Sequence, residues 1–248
     1  KLNMHPKIQA AYVGKGAFAH KGGLHVSAVA KNPSLYEHVA PEKVGNAREI
    51  LISDQAGKSN FIDRLKRLDL NVDDNQDKIS ELMVIVKQAE AKGYSYDGAD
   101  ASFEMLARRH LGQVPQFFEL QNFRVITERR FNALGELITA SEATVKLQVN
   151  GEEENTLGQG NGPVDALDMA LRAALTKFYP QLHNIQLIDY KVRIISPNSG
   201  TGAITRVMIE TADEKTNARW TTFGVSENII DASYNALYES ICYYLYKS

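Results

Sequence analysis

Two stretches of this sequence hold residue types suited to chemistry. The first, GKGAFAHKGGLHVSAVAKNPSLYEHVAPEKVGNAR (Gly14 to Arg48), gathers three histidines, His20, His25 and His38, among five glycines. It shows no sustained helical or strand period, and long irregular runs inside a compact chain are usually functional or disordered. Imidazoles titrate near neutral pH, so they can move protons or bind a metal. His20 and His25 stand five residues apart, but no carboxylate or thiolate is placed to complete a ligand set, and no metal site is expected in this chain. His5, His38, His110 and His183 read as packing or surface residues. Lys21-Gly22-Gly23 lacks the Gly-Lys-Ser/Thr spacing of a Walker loop, and no nucleophile elbow, zinc-protease helix or paired-cysteine motif occurs.

The second stretch is GQGNGP, Gly158 to Pro163, placed between a strand pattern and a helix start. Glycines there let backbone N–H groups converge, and the helix N-terminus adds partial positive charge, which suits a carboxylate or phosphate. Gly158, Gly160 and Gly162 alternate, which is not the dinucleotide fingerprint. A plain strand-to-helix turn accounts for the same pattern, and SPNSGTGA (Ser196 to Ala203) is by itself only a turn.

The surrounding elements follow from periodicity. KSNFIDRLKRLDL, NQDKISELMVIVKQAEAKGY and GADASFEMLARRHL space their apolar residues as three short helices, stopped by Gly93 in the second case and by Gly112 and Pro115 in the third. After Pro115 the order becomes three strands and a helix, twice over, with Pro163 at the first turn of the first helix. At one ungapped offset of 66 residues, Thr156 meets Thr222, Gly158 meets Gly224, Asp165 meets Asp231 and Ala166 meets Ala232. Val164, Ala170 and Leu171 meet Ile230, Ala236 and Leu237 at that offset, and FRV (Phe123 to Val125) meets YKV (Tyr190 to Val192) at 67. The pattern predicts an α+β protein with three parts: a connector over 1–57, a small helical subdomain over 58–113, and a duplicated βββα two-layer domain with pseudo-twofold symmetry over 114–248. The second junction, GVSENI, lacks the two later glycines and offers Ser226 as a helix N-cap, and that asymmetry favours a ligand site at the first junction.

Bulk properties exclude several classes. Of 248 residues, 44% are hydrophobic and 23% charged, which is ordinary for a chain with a core, and the net charge of -2 advertises no face for nucleic acid or an anionic membrane. A single cysteine, Cys242, allows no disulfide within the chain, and no apolar run approaches the roughly 20 residues of a membrane helix. A soluble, cytoplasmic protein is expected, and the abrupt start KLNMHP reads as the tail of something upstream.

The connector also carries a resemblance. AFAHKGGLHVSAVAKNPSLYEHVAPEKVGNAREILISDQAGKSN is similar to the segment that follows the catalytic barrel in the 2-isopropylmalate and citramalate synthase family, and HKGGLHVSAV is closer to the citramalate branch. GNGPVDAL and DYKVRIISP through RWTTFGVSENIIDASYNAL resemble that family's C-terminal regulatory domain. The resemblance implies a C-terminal portion that lacks the N-terminal TIM barrel, in which a divalent metal and acetyl-CoA would be used. No cofactor is implied for this chain, and no turnover by it alone. It implies that His25 and Tyr36 reach the partner subunit's active site, and that the chain forms a homodimer. It implies a branched-chain amino acid effector, isoleucine or leucine, held by Gly160, Asn161, Gly162, Val164, Asp165 and Ala166, with Tyr190 and the Gly202–Ala203 loop approaching from the second repeat. A homocitrate or isopropylmalate synthase parent and a stand-alone amino-acid-binding module are the alternatives.

Overall fold

The alternating runs of the second half form six strands. They belong to a computed structural model that describes residues 10–20, 28–29, 31–50, 58–70, 76–96, 98–196, 200 and 202–248. The described residues make two compact units, one up to Ala91 with Ser95 and Tyr96, the other Lys92–Tyr94 with the residues from Gly98 onward.

The first unit opens with short elements. Strand β1 (Ala19–His20) pairs in parallel with β2 (Glu49–Ile50), and 3-10 turns at Lys15–Phe18, Pro33–Leu35 and Pro41–Val44 shape the chain around them. Two helices follow, α1 (Lys58–Arg67) and α2 (Gln76–Ala91). Phe61 and Leu65 on α1, and Ile79, Leu82 and Val86 on α2, are buried at helical spacing. Arg64 is buried with them and donates to the Tyr96 carbonyl at 3.1 Å, which gives its guanidinium one acceptor inside the unit.

The second unit contains both repeats. Strands β3 (Glu119–Phe131), β4 (Leu137–Val149) and β5 (Glu152–Gly160) form one antiparallel sheet, followed by helix α4 (Pro163–Leu175). Strands β6 (Ile185–Ile194), β7 (Thr205–Asp213) and β8 (Arg219–Ser226) form the other, followed by helix α5 (Ile229–Lys247). Strand order is sequential in both sheets.

The duplication holds at the level of single atoms. The two first strands break register at matching places, Leu120/Asn122 and Leu187/Asp189. Thr156 Oγ1 donates to the Ala170 carbonyl at 2.8 Å, and Thr222 Oγ1 donates to the Ala236 carbonyl at 2.8 Å. On α4 the buried face is Ala166, Leu167, Ala170, Leu171, Ala174 and Leu175; on α5 the same six positions are Ala232, Ser233, Ala236, Leu237, Ser240 and Ile241. Small residues on these faces bring the helix axis close to its sheet.

A third helix, α3 (Asp100–His110), packs within this second unit. Ala101 and Met105 join its core, and Ser102 Oγ accepts a hydrogen bond from the buried Phe223 N–H on β8 at 3.1 Å. The helical stretch expected over 58–113 is thus divided between the two units. The physical reason is the β8 backbone donor and the apolar face of α5, which α3 covers and which local periodicity does not reveal. The aromatic finish of α5 is also covered inside its own unit. Trp220 stacks on Tyr244 with centroids 5.7 Å apart, and Cys242 is 1% exposed.

Candidate functional site

A cleft of about 790 Å³ lies between α4 and β6. Val164, Asp165, Asp168 and Met169 of α4 line one side, and Leu187 and Tyr190 of β6 line the other. Arg172 fixes the floor. Its Nε donates to Asp168 Oδ2 at 2.8 Å, one turn back on the helix, and its Nη1 donates to the Ile185 carbonyl at 2.9 Å, where β6 begins. The guanidinium therefore ties α4 to the first strand of the other repeat without filling the space between them. The Ser233 hydroxyl donates to the Ile229 carbonyl at 2.6 Å, so the Tyr190 hydroxyl, 2.8 Å from Ser233 Oγ, is the donor in that pair. This bond fixes the Tyr190 ring at the cleft.

The mouth of the cleft meets the start of α4. Gly162 is the N-cap in extended conformation, and no side chain caps this helix. Asp165 turns back over the first turn, where its Oδ2 accepts from the Asn161 N–H at 2.8 Å. At the second junction the cap is Asn228, whose Oδ1 accepts from the Ile230 N–H at 2.8 Å; Ser226, expected there, instead accepts from the Asn228 N–H at 3.1 Å. A cap at Asn228 puts its acceptor at the first turn, which Ser226, two residues earlier, does not reach. The Gly162 and Asn228 positions are equivalent in the duplication, so the first repeat leaves uncapped the helix end that the second repeat closes with a side chain.

The expected site residues fall into three groups. Val164, Asp165 and Tyr190 come together at the cleft. Gly160, Asn161, Gly162 and Ala166 form the turn beside it, and Gly160 and Ala166 touch so closely that a Cβ at 160 would stand 2.4 Å from the Ala166 nitrogen. Gly162 has nothing within 4 Å of that position and stays open. Gly202 and Ala203 lead into β7 beyond the Ile194–Thr205 pair, four rungs along the strand from Tyr190, and neither lines the cleft.

In the connector, Tyr36 is 45% exposed, and His25 lies outside the described residues. His20 is held by Glu37, with Nε2 and Oε1 at 3.0 Å. The same buried carboxylate accepts two bonds from Arg48, from Nε at 2.7 Å and Nη2 at 2.6 Å. That fork, with His20 beside it, holds the Glu37 carboxyl below its ordinary pKa despite its burial. Asn46 Nδ2 donates to the Tyr12 and Gly14 carbonyls at 2.8 and 2.9 Å, closing the loop on itself. Sequence reasoning named His20 but missed Glu37, Arg48, Asp168 and Arg172. The only available signal for the last two was their i, i+4 spacing, which surface pairs share. Among the described residues no three His, Cys, Asp or Glu side chains gather as metal ligands would, and no helix is long and apolar enough to cross a membrane.

Comparison with known proteins covers both units. The family described as the LeuA allosteric (dimerisation) domain matches residues 97–245, and the homocitrate synthase post-HMGL domain-like family matches residues 12–93. An (R)-citramalate synthase of Geobacter sulfurreducens is 47% identical over 246 residues, 99% of this chain and 46% of that protein. The (R)-citramalate synthase of Aquifex aeolicus is 48% identical over 246 residues, with the same coverage of 99% and 46%. A probable 2-isopropylmalate synthase of Methanopyrus kandleri is 30% identical over 232 residues, 92% of this chain and 43% of that protein. The chain therefore spans about half the length of the curated relatives it matches.

Proposed function

Because this chain belongs to the LeuA allosteric (dimerisation) domain family, we propose that it senses a branched-chain amino acid for an acetyl-CoA-dependent, 2-oxo-acid-condensing enzyme of the citramalate synthase kind. In this reading the chain is the regulatory and dimerisation part of a homodimer. An N-terminal TIM barrel, with its divalent metal and acetyl-CoA, performs the condensation. The connector lends His25 and Tyr36 to the partner subunit's barrel, where an imidazole suits proton transfer near neutral pH. The names of the relatives support this branch.

The observation that carries the effector reading is the uncapped start of α4 beside an apolar-walled cleft. The ligand's carboxylate sits at the helix start, accepting from the N–H groups that no side chain satisfies. Its ammonium faces Asp165, which keeps one carboxylate oxygen outside the bond to Asn161. Its alkyl group enters the cleft beside Val164 and the Tyr190 ring. Leucine and isoleucine differ only in branching, so one is preferred by a modest factor.

Calorimetric titration of the chain with isoleucine and, separately, leucine tests this. Saturable binding of at least one, abolished in Gly162→Asp, is expected, because an aspartate there would cap the helix itself and repel the carboxylate. Absence of heat from both amino acids, or binding unchanged in the variant, would contradict the reading.

A further inference from the structure

Helix α4 spans 13 residues and α5 spans 19, although both begin at equivalent positions, Pro163 and Ile229. The turn between the last two strands differs too: Asn150-Gly151 suffices in the first repeat, whereas residues 214–218 join β7 to β8 in the second. Both additions meet at one place. With the 3-10 turn Pro180–Asn184 they enclose a cavity of about 600 Å³, within the range of small-molecule sites.

The walls of this cavity are tied to one another. The Glu214 N–H donates to the Asn184 carbonyl at 2.8 Å, which joins the hairpin to the 3-10 turn. The Tyr244 hydroxyl donates to the Gln181 carbonyl at 3.2 Å, which joins α5 to the same turn. Asp213 shapes the hairpin, its Oδ1 accepting from the Lys215 N–H at 2.9 Å and its Oδ2 from the Thr216 hydroxyl at 2.7 Å. Trp220 is held between its stack on Tyr244 and the bond from its indole N–H to Ser240 Oγ at 2.8 Å.

The lining joins aromatic rings, Trp220, Tyr243 and Tyr244, to three cations, Lys215, Arg219 and Lys247. Among the described residues Asp213 is the one acidic side chain in it, and the hairpin engages both of its oxygens. Lys247 lies over the Tyr243 ring at 5.5 Å and pairs with Glu104 at 2.7 Å. Lys215 makes no ion pair among the described residues, and Arg219 stands 3.9 Å from Glu210, beyond hydrogen-bond reach. The Tyr244 carbonyl, which would repel an anion at this helix end, accepts from the Ser248 N–H at 3.0 Å and hydroxyl at 2.7 Å. Rings beside unspent cations suit a planar body that carries negative charge. A phosphate is nearly doubly charged at neutral pH and matches the arginine fork.

We propose that this cavity is a small-molecule site separate from the α4–β6 cleft, and that it takes a phosphorylated heteroaromatic compound of nucleoside monophosphate size. The ring lies against Trp220 and Tyr243, and the phosphate faces Lys215 and Arg219.

Trp220 is the sole tryptophan of the chain, so its emission reports on this place. The probes are AMP, GMP, CMP and UMP, each compared with its nucleoside and with inorganic phosphate, and binding to the full chain is followed by tryptophan emission and calorimetry. At least one nucleotide is expected to bind saturably, change the Trp220 emission, and bind more tightly than its nucleoside or phosphate alone. Lys215→Glu and Arg219→Glu, both at exposed side chains, are each expected to weaken it about tenfold at unchanged melting temperature. Isoleucine and leucine are expected not to displace it. Absence of binding by all four nucleotides, or binding that neither charge reversal weakens, would overturn the proposal. Phosphate bound as tightly as the nucleotide would reduce the place to an anion patch and overturn the assignment of a heteroaromatic ligand. Displacement by isoleucine or leucine would put the nucleotide in the α4–β6 cleft and overturn the separate site.

Discussion

Gly158 and Gly224 hold the same post in the two repeats, where the last strand passes under its helix. A Cβ at 158 would stand 2.3 Å from the Ala170 nitrogen and 2.5 Å from the Ala166 oxygen; one at 224 would stand 2.1 Å from the Ala232 oxygen. These neighbours are helix backbone, which cannot step aside as a side-chain end can. Gly158→Ala and Gly224→Ala are each expected to destabilise the second unit by about 1–3 kcal/mol, the usual cost of overpacking. Thermal melts followed by circular dichroism should show both midpoints lowered by several degrees. A midpoint unchanged in either variant would contradict the close packing. These glycines were legible in the sequence because they recur at one offset with Thr156 and Thr222. Gly160 is equally visible, but the sequence allows it as part of a ligand turn or of a plain strand-to-helix turn, because a loop glycine and a close-contact glycine look alike until the opposing backbone is in place.

At the scale of elements, the sequence revealed all six strands and the helices that follow them, since alternation and helical spacing are local signals. It did not reveal which unit α3 joins, because the deciding contact, Ser102 with the Phe223 N–H, spans 121 residues. The connector was legible as irregular but not as organised. Its order comes from one acid, Glu37, gripping His20 and Arg48 across distant turns. The sign of its pH dependence follows from its lowered pKa. The stabilisation is fully present above the ordinary carboxyl value of 4.5 and is lost as pH falls below it, through the folded-state value. Acid titration of the wild-type chain, followed by the NMR signals of the Asn46 side-chain amide, should show the connector loosening below about pH 4.5. Glu37→Gln should show the loosened signals already at pH 7, with no further change on acidification. An acid response unchanged in the variant would assign the effect to other groups.

At the scale of the whole molecule, the two repeats have kept one scaffold and diverged at their openings. The matched threonines, glycines and buried helix faces preserve the packing of helix on sheet. Gly162 against Asn228, and Asp168 and Arg172 against Tyr234 and Tyr238, separate an uncapped helix end beside an open cleft from a capped one where Tyr234 lies against Phe123. Much of the candidate turn, Gly160 to Ala166, could be read before the structure, because glycines at a strand-to-helix junction are a local pattern. The extent of the cleft along α4 could not, since Met169, Ala173 and Leu187 look like ordinary helix and strand residues until two repeats face each other. The measurement that bears most directly on this account is amide hydrogen exchange of the chain with and without saturating isoleucine or leucine. The account predicts added protection in residues 160–173 and 185–190 and none in 226–239. Equal protection of both repeats, or of neither, would contradict it.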